Sequence, residues 1–412
     1  MALFSSCEGK SLRNGQDTEP DTLHVDFKGK TVVVYMAAQN SLGVKGNQRA
    51  DSLEIMSAYT SIPTDAQLLL FIDDQYTPRM YKINNNTSRP ILVKRWKSDE
   101  NSASPIFFQN VLKFIKRYYP SEEYGLVMWS HATGWLPQSS GNEQRMVRRL
   151  ESFGIDDGND MGLDYGSEMD ISDMADAMSS ADFHARYIFF DACLMQNIEV
   201  AYALRKVADY IVASPISTPG AGANYAHQLS DGFFNDDVSV IASTYLSDVC
   251  DAKQSENYGD FGLVISVVKT SGLEQLAGIM RELMVKSSLM GHQSPNMEDV
   301  LNYQAYSRRF YYRPHNYDMA EAIRRIWGKN ATTIVDALDK IIIYKGATQN
   351  FWIGPGDWTF QNVDMDSYCG VSMYVPQDLY TRNKDASLYG DLNVRFGDTS
   401  WYSDAGWALT GW

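Results

Sequence analysis

A chain of 412 residues with 44% hydrophobic content and a net charge of −15 at pH 7 can bury a substantial core without disulfide staples. The acidic balance argues against a nucleic-acid groove or an anionic membrane surface as partner, both of which want clustered Lys and Arg. Cys7, Cys193, Cys250 and Cys369 are too scattered for a disulfide framework and form no CxxC zinc pair, and no run of about 18 apolar residues is present to span a bilayer.

Met1-Ala-Leu-Phe-Ser-Ser-Cys7 is similar to the end of a bacterial lipoprotein signal, where small residues precede a cysteine that becomes lipidated. Either the charged and apolar parts of such a signal are missing from the start shown, or the likeness is accidental. Residues 8–26 are polar, aperiodic and read as a flexible tether.

From Lys30 the pattern changes. Thr31-Val-Val-Val-Tyr-Met36 is the continuous β-branched run of a buried parallel strand. Leu53, Ile55, Met56 and Ala58 mark a following helix, and Gln67 to Ile72 a second strand ending in Asp73-Asp74. Met80 to Ile83 and Ile91 to Trp96 read as a hairpin. Ser104 and Pro105 then supply an N-cap and a first-turn proline for a helix whose inner face is expected at Ile106, Phe107, Val111, Leu112 and Ile115. Tyr124 to Trp129 is a third buried strand, running straight into Ser130-His131-Ala132-Thr133-Gly134-Trp135. Residues 136–152, with Pro137, Gly141, Arg145, Arg148 and Arg149, read as an exposed loop.

Ser172 is expected to cap a helix through Met178. Arg186 to Phe190 is a fourth buried strand that delivers Asp191-Ala192-Cys193; a helix carrying Ile198, Val200, Ala201 and Leu204 follows, then a fifth strand at Tyr210 to Ser214. Beyond Gly222 the pattern predicts helices near 238–246, 271–288, 318–327 and 332–345, strands at 262–268 and 370–375, and an aromatic-rich tail. Strands alternating with helices imply an α/β fold, a mostly parallel sheet covered on both faces, with ligands gathered beyond the carboxyl ends of its strands. His131, Cys193 and Ser214 all fall on that edge.

A thiol becomes a useful nucleophile when ionised, and a nearby histidine both favours the thiolate and later protonates the leaving amine. Cys193 follows a strand and precedes a helix, where backbone N–H groups can stabilise a thiolate and an oxyanion. Cysteine is more often a small inert packing residue, and Cys250 and Cys369 are read that way. His131 differs from the other histidines in its setting: Ala132, Thr133 and Gly134 leave room for a substrate carbonyl, and Trp129 and Trp135 could wall a site.

Four segments together resemble the clostripain-like cysteine peptidases, relatives of caspases, legumains and gingipains. They are TVVVYMAAQNSL at 31–42, YGLVMWSHATGW at 124–135, FFDACLMQNIEVAYALRKVADYIVAS at 189–214 and GVSMYVP at 370–376. The resemblance implies a caspase-like sandwich, with a tail at 1–26, a catalytic domain at 27–268 and a smaller helical or mixed subdomain at 269–412. It makes Cys193 the nucleophile, His131 the base and acid, and the N–H groups of Ala132 and Cys193 the oxyanion donors. Asp191 is placed at the pocket for the residue before the cut, which suits Arg or Lys; the alternative is a carboxylate tied to local N–H groups. Thr218, Asn40 and Ser214 are further lining candidates.

The chain departs from the family pattern in having Ala132 where Gly is usual, and in carrying no acid at 214–225, where relatives often do. Self-cleavage at Arg145, Arg148 or Arg149 is expected on the same grounds, the alternative being a solvated basic loop. No cofactor is required by this chemistry. Asp156, Asp157 and Asp160 offer oxygen ligands for calcium but lack the full spacing of an EF-hand loop. The resemblance further implies a monomer acting on a peptide or protein, exported from a bacterium to the periplasm or cell surface, with Cys7 a lipid-anchor candidate. A silent binding protein of the same fold, and a ligase or transpeptidase using the same acyl-enzyme, are the competing readings. No HExxH spacing supports a metallohydrolase.

Overall fold

The β-branched run that opens the fold is β1 (Phe27–Ala37), and its residues alternate between two cores. Val33, Tyr35 and Ala37 enter one, Val32, Val34 and Met36 the other, as a strand buried on both faces requires. The computed structural model describes residues 27–86, 88–136, 153–158, 162–164, 166–251, 261–286, 294–308, 311–353, 360–381 and 392–412.

In chain order β1 is followed by α1 (Ser41–Lys45), α2 (Asn47–Ser57), β2 (Ala66–Asp73), β3 (Arg79–Ile83), β4 (Ile91–Arg95), α3 (Pro105–Tyr118) and β5 (Ser121–Trp129). A small hairpin, β6 (Phe153–Asp156) and β7 (Ser167–Met169), leads to α4 (Ile171–Ser180), β8 (Ala185–Asp191), α5 (Ile198–Leu204) and β9 (Ala208–Ala213). Then come α6 (Tyr225–His227), α7 (Ser239–Asp251), β10 (Val264–Lys269), α8 (Leu273–Lys286), β11 (Asn302–Arg308), β12 (Tyr311–Asp318), α9 (Met319–Trp327), α10 (Thr332–Ile341) and β13 (Ile342–Ala347). The chain closes with β14 (Asn350–Trp352), β15 (Phe360–Asn362), β16 (Ser372–Tyr374), α11 (Leu392–Gly397) and α12 (Ser400–Asp404).

Among the described residues the main sheet has nine strands in the order β13-β10-β9-β8-β5-β1-β2-β3-β4. Its centre is parallel, from β2 through β1, β5 and β8 to β9. Its flanks, β3 with β4 and β10 with β13, run antiparallel. Helices α3, α4, α5 and α8–α12 cover one face, and α2, α6 and α7 the other.

Several expectations need local correction. Ser104 does cap α3, accepting from Phe107 N, with Pro105 in the first turn. Ile106, however, is 71% exposed, while Phe108 and Phe114 are buried. The inward stripe keeps the expected Phe107, Val111, Leu112 and Ile115 and takes Phe108 in place of Ile106, because the sheet selects the face and Phe108 packs edge-on against Tyr35. Burying one such ring contributes about 2–3 kcal/mol. The helix expected to be capped by Ser172 starts at Ile171, with Asp170 in the capping position. The helix predicted over 332–345 stops at Ile341, and the β-branched Ile342-Ile343 continues as β13. That strand pairs with β10, and the helices beyond residue 268 share the core of α3. Packing is thus continuous across the 268/269 division. Strands β11 and β12 were not anticipated; the register between them is broken by irregularities, which blur the alternation that sequence reading relies on.

Candidate active site

The site is assembled by register. β5 and β8 are adjacent and parallel, with Trp129 paired to Asp191. His131 and Cys193 each stand two residues past that pair, so residues 62 apart in sequence emerge side by side at one carboxyl edge.

The turn after β8 is strained and braced. Leu194, directly after Cys193, has a left-handed φ of 64°, costly for a branched residue unless its surroundings hold it. Leu194 N donates to Ile216 O at 2.9 Å and Gln196 N to Ser214 O at 3.0 Å, while Ser372 N donates to Gln196 O at 2.9 Å. On the other side Gly134, with φ 88°, approaches so closely that a methyl group there would stand 2.8 Å from Leu194 O and collide with the Asn197 side chain. The histidine loop and the cysteine loop therefore fix one another.

Cys193 Sγ is bounded by Thr218: its N–H donates to sulfur at 3.4 Å, and its hydroxyl lies at 3.6 Å. Part of Cys193 reaches the surface, but the thiol itself is enclosed. Burial pushes its pKa above the usual thiol value, against the lowering effect of the Thr218 contacts.

Asp191 lies beneath this turn, almost fully buried. It accepts from Ala223 N at 3.2 and 3.3 Å and from the Tyr225 hydroxyl at 3.0 Å. Gly222, at φ 66°, passes over it so tightly that a Cβ would stand 2.7 Å from a carboxylate oxygen. Burial raises the Asp191 pKa to about 7 despite the Tyr225 and Ala223 donors, and Glu54 adds to the rise. Asp51 of α2, bonded to the Trp129 indole at 2.7 Å, is raised to about 9 by burial and by Asp191 itself. Glu54 accepts from Tyr225 N at 2.8 Å. Three carboxyl groups therefore converge below the substrate edge, two of them from α2.

His131 is held from the opposite direction in sequence. Its Nε2 is 3.0 Å from Ser41 Oγ and 3.7 Å from Asp164 Oδ1, and Ser41 N donates to that same Asp164 oxygen at 2.9 Å. Asp164 sits at the tip of the β6–β7 hairpin in a left-handed conformation, φ 53°. The hairpin is fastened along its base: Gly154 N donates to His131 O at 2.9 Å, Asp157 N to Gln39 O at 2.8 Å, and Asn40 Nδ2 to Ile155 O at 3.0 Å. Its tip is folded around Asp157, whose carboxylate accepts from Gly162 N, Asp164 N and Gly166 N at 3.1, 2.9 and 2.7 Å.

Other sequence-nominated residues lie elsewhere than a substrate surface. Asn40 is fully buried; its Oδ1 caps α1 through Leu42 N and Gly43 N, and its Nδ2 binds Ala37 O, Ser130 Oγ and Ile155 O. Ser214 is a buried turn residue bonded to Ile216. Trp129 and Trp135 point into the cores, Trp135 against Tyr374 and Phe396. Ala132 follows His131 and bridges to Phe153. Asp156 is occupied by Ser102 N at 2.6 Å and Gly158 N at 3.0 Å. Among the described residues no cluster of three or more His, Cys, Asp or Glu has the arrangement of a metal site. Cys7, Arg145, Arg148, Arg149 and Asp160 lie outside the described residues. Ser41, Asp164, Tyr225 and Asp51 were not nominated from sequence. Only Asp164, an acid between Gly162 and Gly166 in the sequence, carried a local signal, its tolerance of left-handed backbone.

Comparison with known proteins agrees with this geometry. The model of the clostripain family, Peptidase C11, matches residues 34–408. A protein named clostripain from Hathewaya histolytica is 27% identical over 222 residues, 47% of this chain and 40% of that protein, so the match spans well under half the relative's length. A solved secreted C11 cysteine protease from Bacteroides thetaiotaomicron, bound to an irreversible peptide inhibitor, superposes with TM-score 0.73 at 26% identity, covering 92% of this chain and 99% of that one. An inactive zymogen C11 protease from Parabacteroides distasonis gives TM-score 0.71 at 26% identity, covering 93% and 99%. The fold is the caspase-like α/β sandwich.

Proposed function

The chain belongs to the clostripain family, and from that premise we propose that it is a cysteine endopeptidase in which Cys193 attacks the peptide carbonyl and His131 carries the proton. What supports this reading most is the pairing of Trp129 with Asp191, from which His131 and Cys193 each follow by two residues on neighbouring strands.

The buried thiol rests protonated. Attack therefore begins when His131 takes its proton as the sulfur bonds to the carbonyl carbon. The oxyanion of the tetrahedral intermediate would meet the N–H groups of Ala132 and Cys193. Collapse breaks the C–N bond, His131 returns the proton to the leaving amine, and water, deprotonated by the same imidazole, releases the acyl group from sulfur.

Cleavage after Arg or Lys is the specificity this site favours. The 214–225 segment supplies no acid, but Asp191, Asp51 and Glu54 converge beneath it. A guanidinium or ammonium entering there would draw the Asp191 proton off and pair with the carboxylate. A cationic side chain has to displace the Gly222 turn to reach it. We further propose self-cleavage at Arg145, Arg148 or Arg149, and export of the chain. No helix among the described residues is long and apolar enough to cross a membrane.

The test is a panel of fluorogenic peptides ending in Arg, Lys, Asn, Asp or a neutral residue, offered to wild type and Cys193→Ala. Thiol-dependent turnover of the Arg and Lys peptides is expected, absent from the variant; no turnover of any peptide overturns the peptidase reading. The same pair, followed on a denaturing gel, is expected to yield two fragments from wild type and one intact band from Cys193→Ala.

A further inference from the structure

We propose that Asp164, working through Ser41, is a positioning residue for His131: the hairpin tip holds a carboxylate against Nε2, fixes the ring's orientation and stabilises the protonated imidazole that the reaction generates. The inference rests on the peptidase reading and adds a third group to the Cys–His pair.

The geometry is specific at each joint. Ser41 bridges two partners, presenting its hydroxyl to Nε2 at 3.0 Å and its backbone N–H to Asp164 Oδ1 at 2.9 Å. The carboxylate oxygen thereby stands 3.7 Å from the imidazole nitrogen, within ion-pair range once the ring is protonated. The imidazole side chain keeps 29% exposure and the carboxylate 14%, so the pair is only partly screened by solvent. Holding Nε2 from this side turns the other edge of the ring, which carries Nδ1, away from Asp164. That is the relation an orienting acid bears to a catalytic imidazole.

Construction of the hairpin supports the assignment. Asp164 occupies a left-handed φ of 53°, a conformation that costs energy for a residue with a side chain. The cost is sustained by the Asp157 carboxylate, which takes the N–H groups of Gly162, Asp164 and Gly166. Gly166 admits no larger residue, because a Cβ would overlap the Asp156 carbonyl. The base is tied to the histidine's own main chain through Gly154 N to His131 O. The tip carboxylate and the ring it faces are thus joined through hydrogen bonds of the described hairpin residues.

Asp164→Asn keeps an oxygen for the Ser41 N–H and removes the charge; Asp164→Ala removes both, and Asp164→Glu restores the charge one methylene further out. Two readouts separate positioning from folding. The first is steady-state kinetics on the best peptide, where Asp164→Asn is expected to lower kcat on the order of 10-fold with KM unchanged and Asp164→Glu to recover part of it. The second is the rate of Cys193 alkylation by iodoacetamide at pH 7, which reads how readily His131 takes the thiol proton without any peptide. It is expected to fall in Asp164→Asn in the same proportion, and further in His131→Ala. Thermal melting identifies any variant that has lost its fold. A folded Asp164→Asn with wild-type kcat and wild-type alkylation overturns the proposal. Should no peptide be turned over, alkylation alone still decides it: equal rates in wild type and Asp164→Asn overturn it, and a slower variant supports it.

Discussion

Two loops close on the reacting edge, each arranged around one carboxylate, and they use it in opposite ways. In the β6–β7 hairpin Asp157 belongs to the loop and is saturated by three of the loop's own N–H groups. In the 214–225 segment the acid is Asp191, lent by β8, and the loop gives it one N–H and one hydroxyl. A carboxylate filled with donors defines a shape. One buried with few donors is poised between its neutral and charged forms near pH 7, and an arriving cation favours the charged form. The hairpin is thus expected to govern the chemical step and the 214–225 loop the choice of substrate.

The largest predicted effect breaks both loops together. Gly134→Ala forces a methyl into Leu194 O and Asn197 at a positive φ, so unfolding free energy is expected to drop by about 3 kcal/mol or more and turnover to vanish, as read by denaturant melts and the peptide assay. Next is Asp191→Asn, expected to lower kcat/KM for an Arg peptide roughly 100-fold while leaving a neutral peptide unaffected; equal losses on both would make Asp191 structural only. The pH dependence sharpens the same contrast. Because Asp191 ionises near 7, KM for Arg peptides is expected to fall as pH rises toward that value, by up to about 10-fold per unit below it, and then to level off. A neutral peptide should show no such slope.

The smallest effect concerns stability at the hairpin's base. Asp73 is fully buried, neither of its carboxyl oxygens has a hydrogen-bond partner among the described residues, and burial together with Asp156 raises its pKa to about 9. The folded state therefore binds a proton that the unfolded state releases near pH 4, and stability is lost as pH climbs from about 4 to about 9. Asp73→Asn removes that loss. It is expected to gain stability at pH 8–9 and little at pH 4, measured as the difference between melts at the two pH values.

Much of this was legible from the sequence because the central strands are saturated with β-branched and aromatic residues. Val32 to Met36, Leu126 to Trp129 and Tyr187 to Phe190 can only be strands buried on both faces, and their ends name His131 and Cys193. What sequence could not supply was the partner of each polar side chain. Asn40 was nominated as a lining residue, yet its amide is consumed by five contacts inside the fold. Ser41, its neighbour, is the one that reaches the histidine. Asp164 meets Ser41 from 123 residues away, across a turn with no periodicity to read. Asp51 was invisible for a related reason: its helix has no apolar stripe sharp enough to show which face lies over Trp129.

The order of strands in the main sheet has one more outcome. Everything before residue 130 contributes β5-β1-β2-β3-β4, and everything after residue 180 contributes β13-β10-β9-β8. Neither half interleaves with the other. A break in the covalent chain between Leu136 and Phe153 would leave each fragment a contiguous block of strands of the main sheet, mated along the register of Gly125–Trp129 with Tyr187–Asp191. The nucleophile would then sit on one subunit and its base on the other, and a nicked molecule would migrate as one particle until denatured.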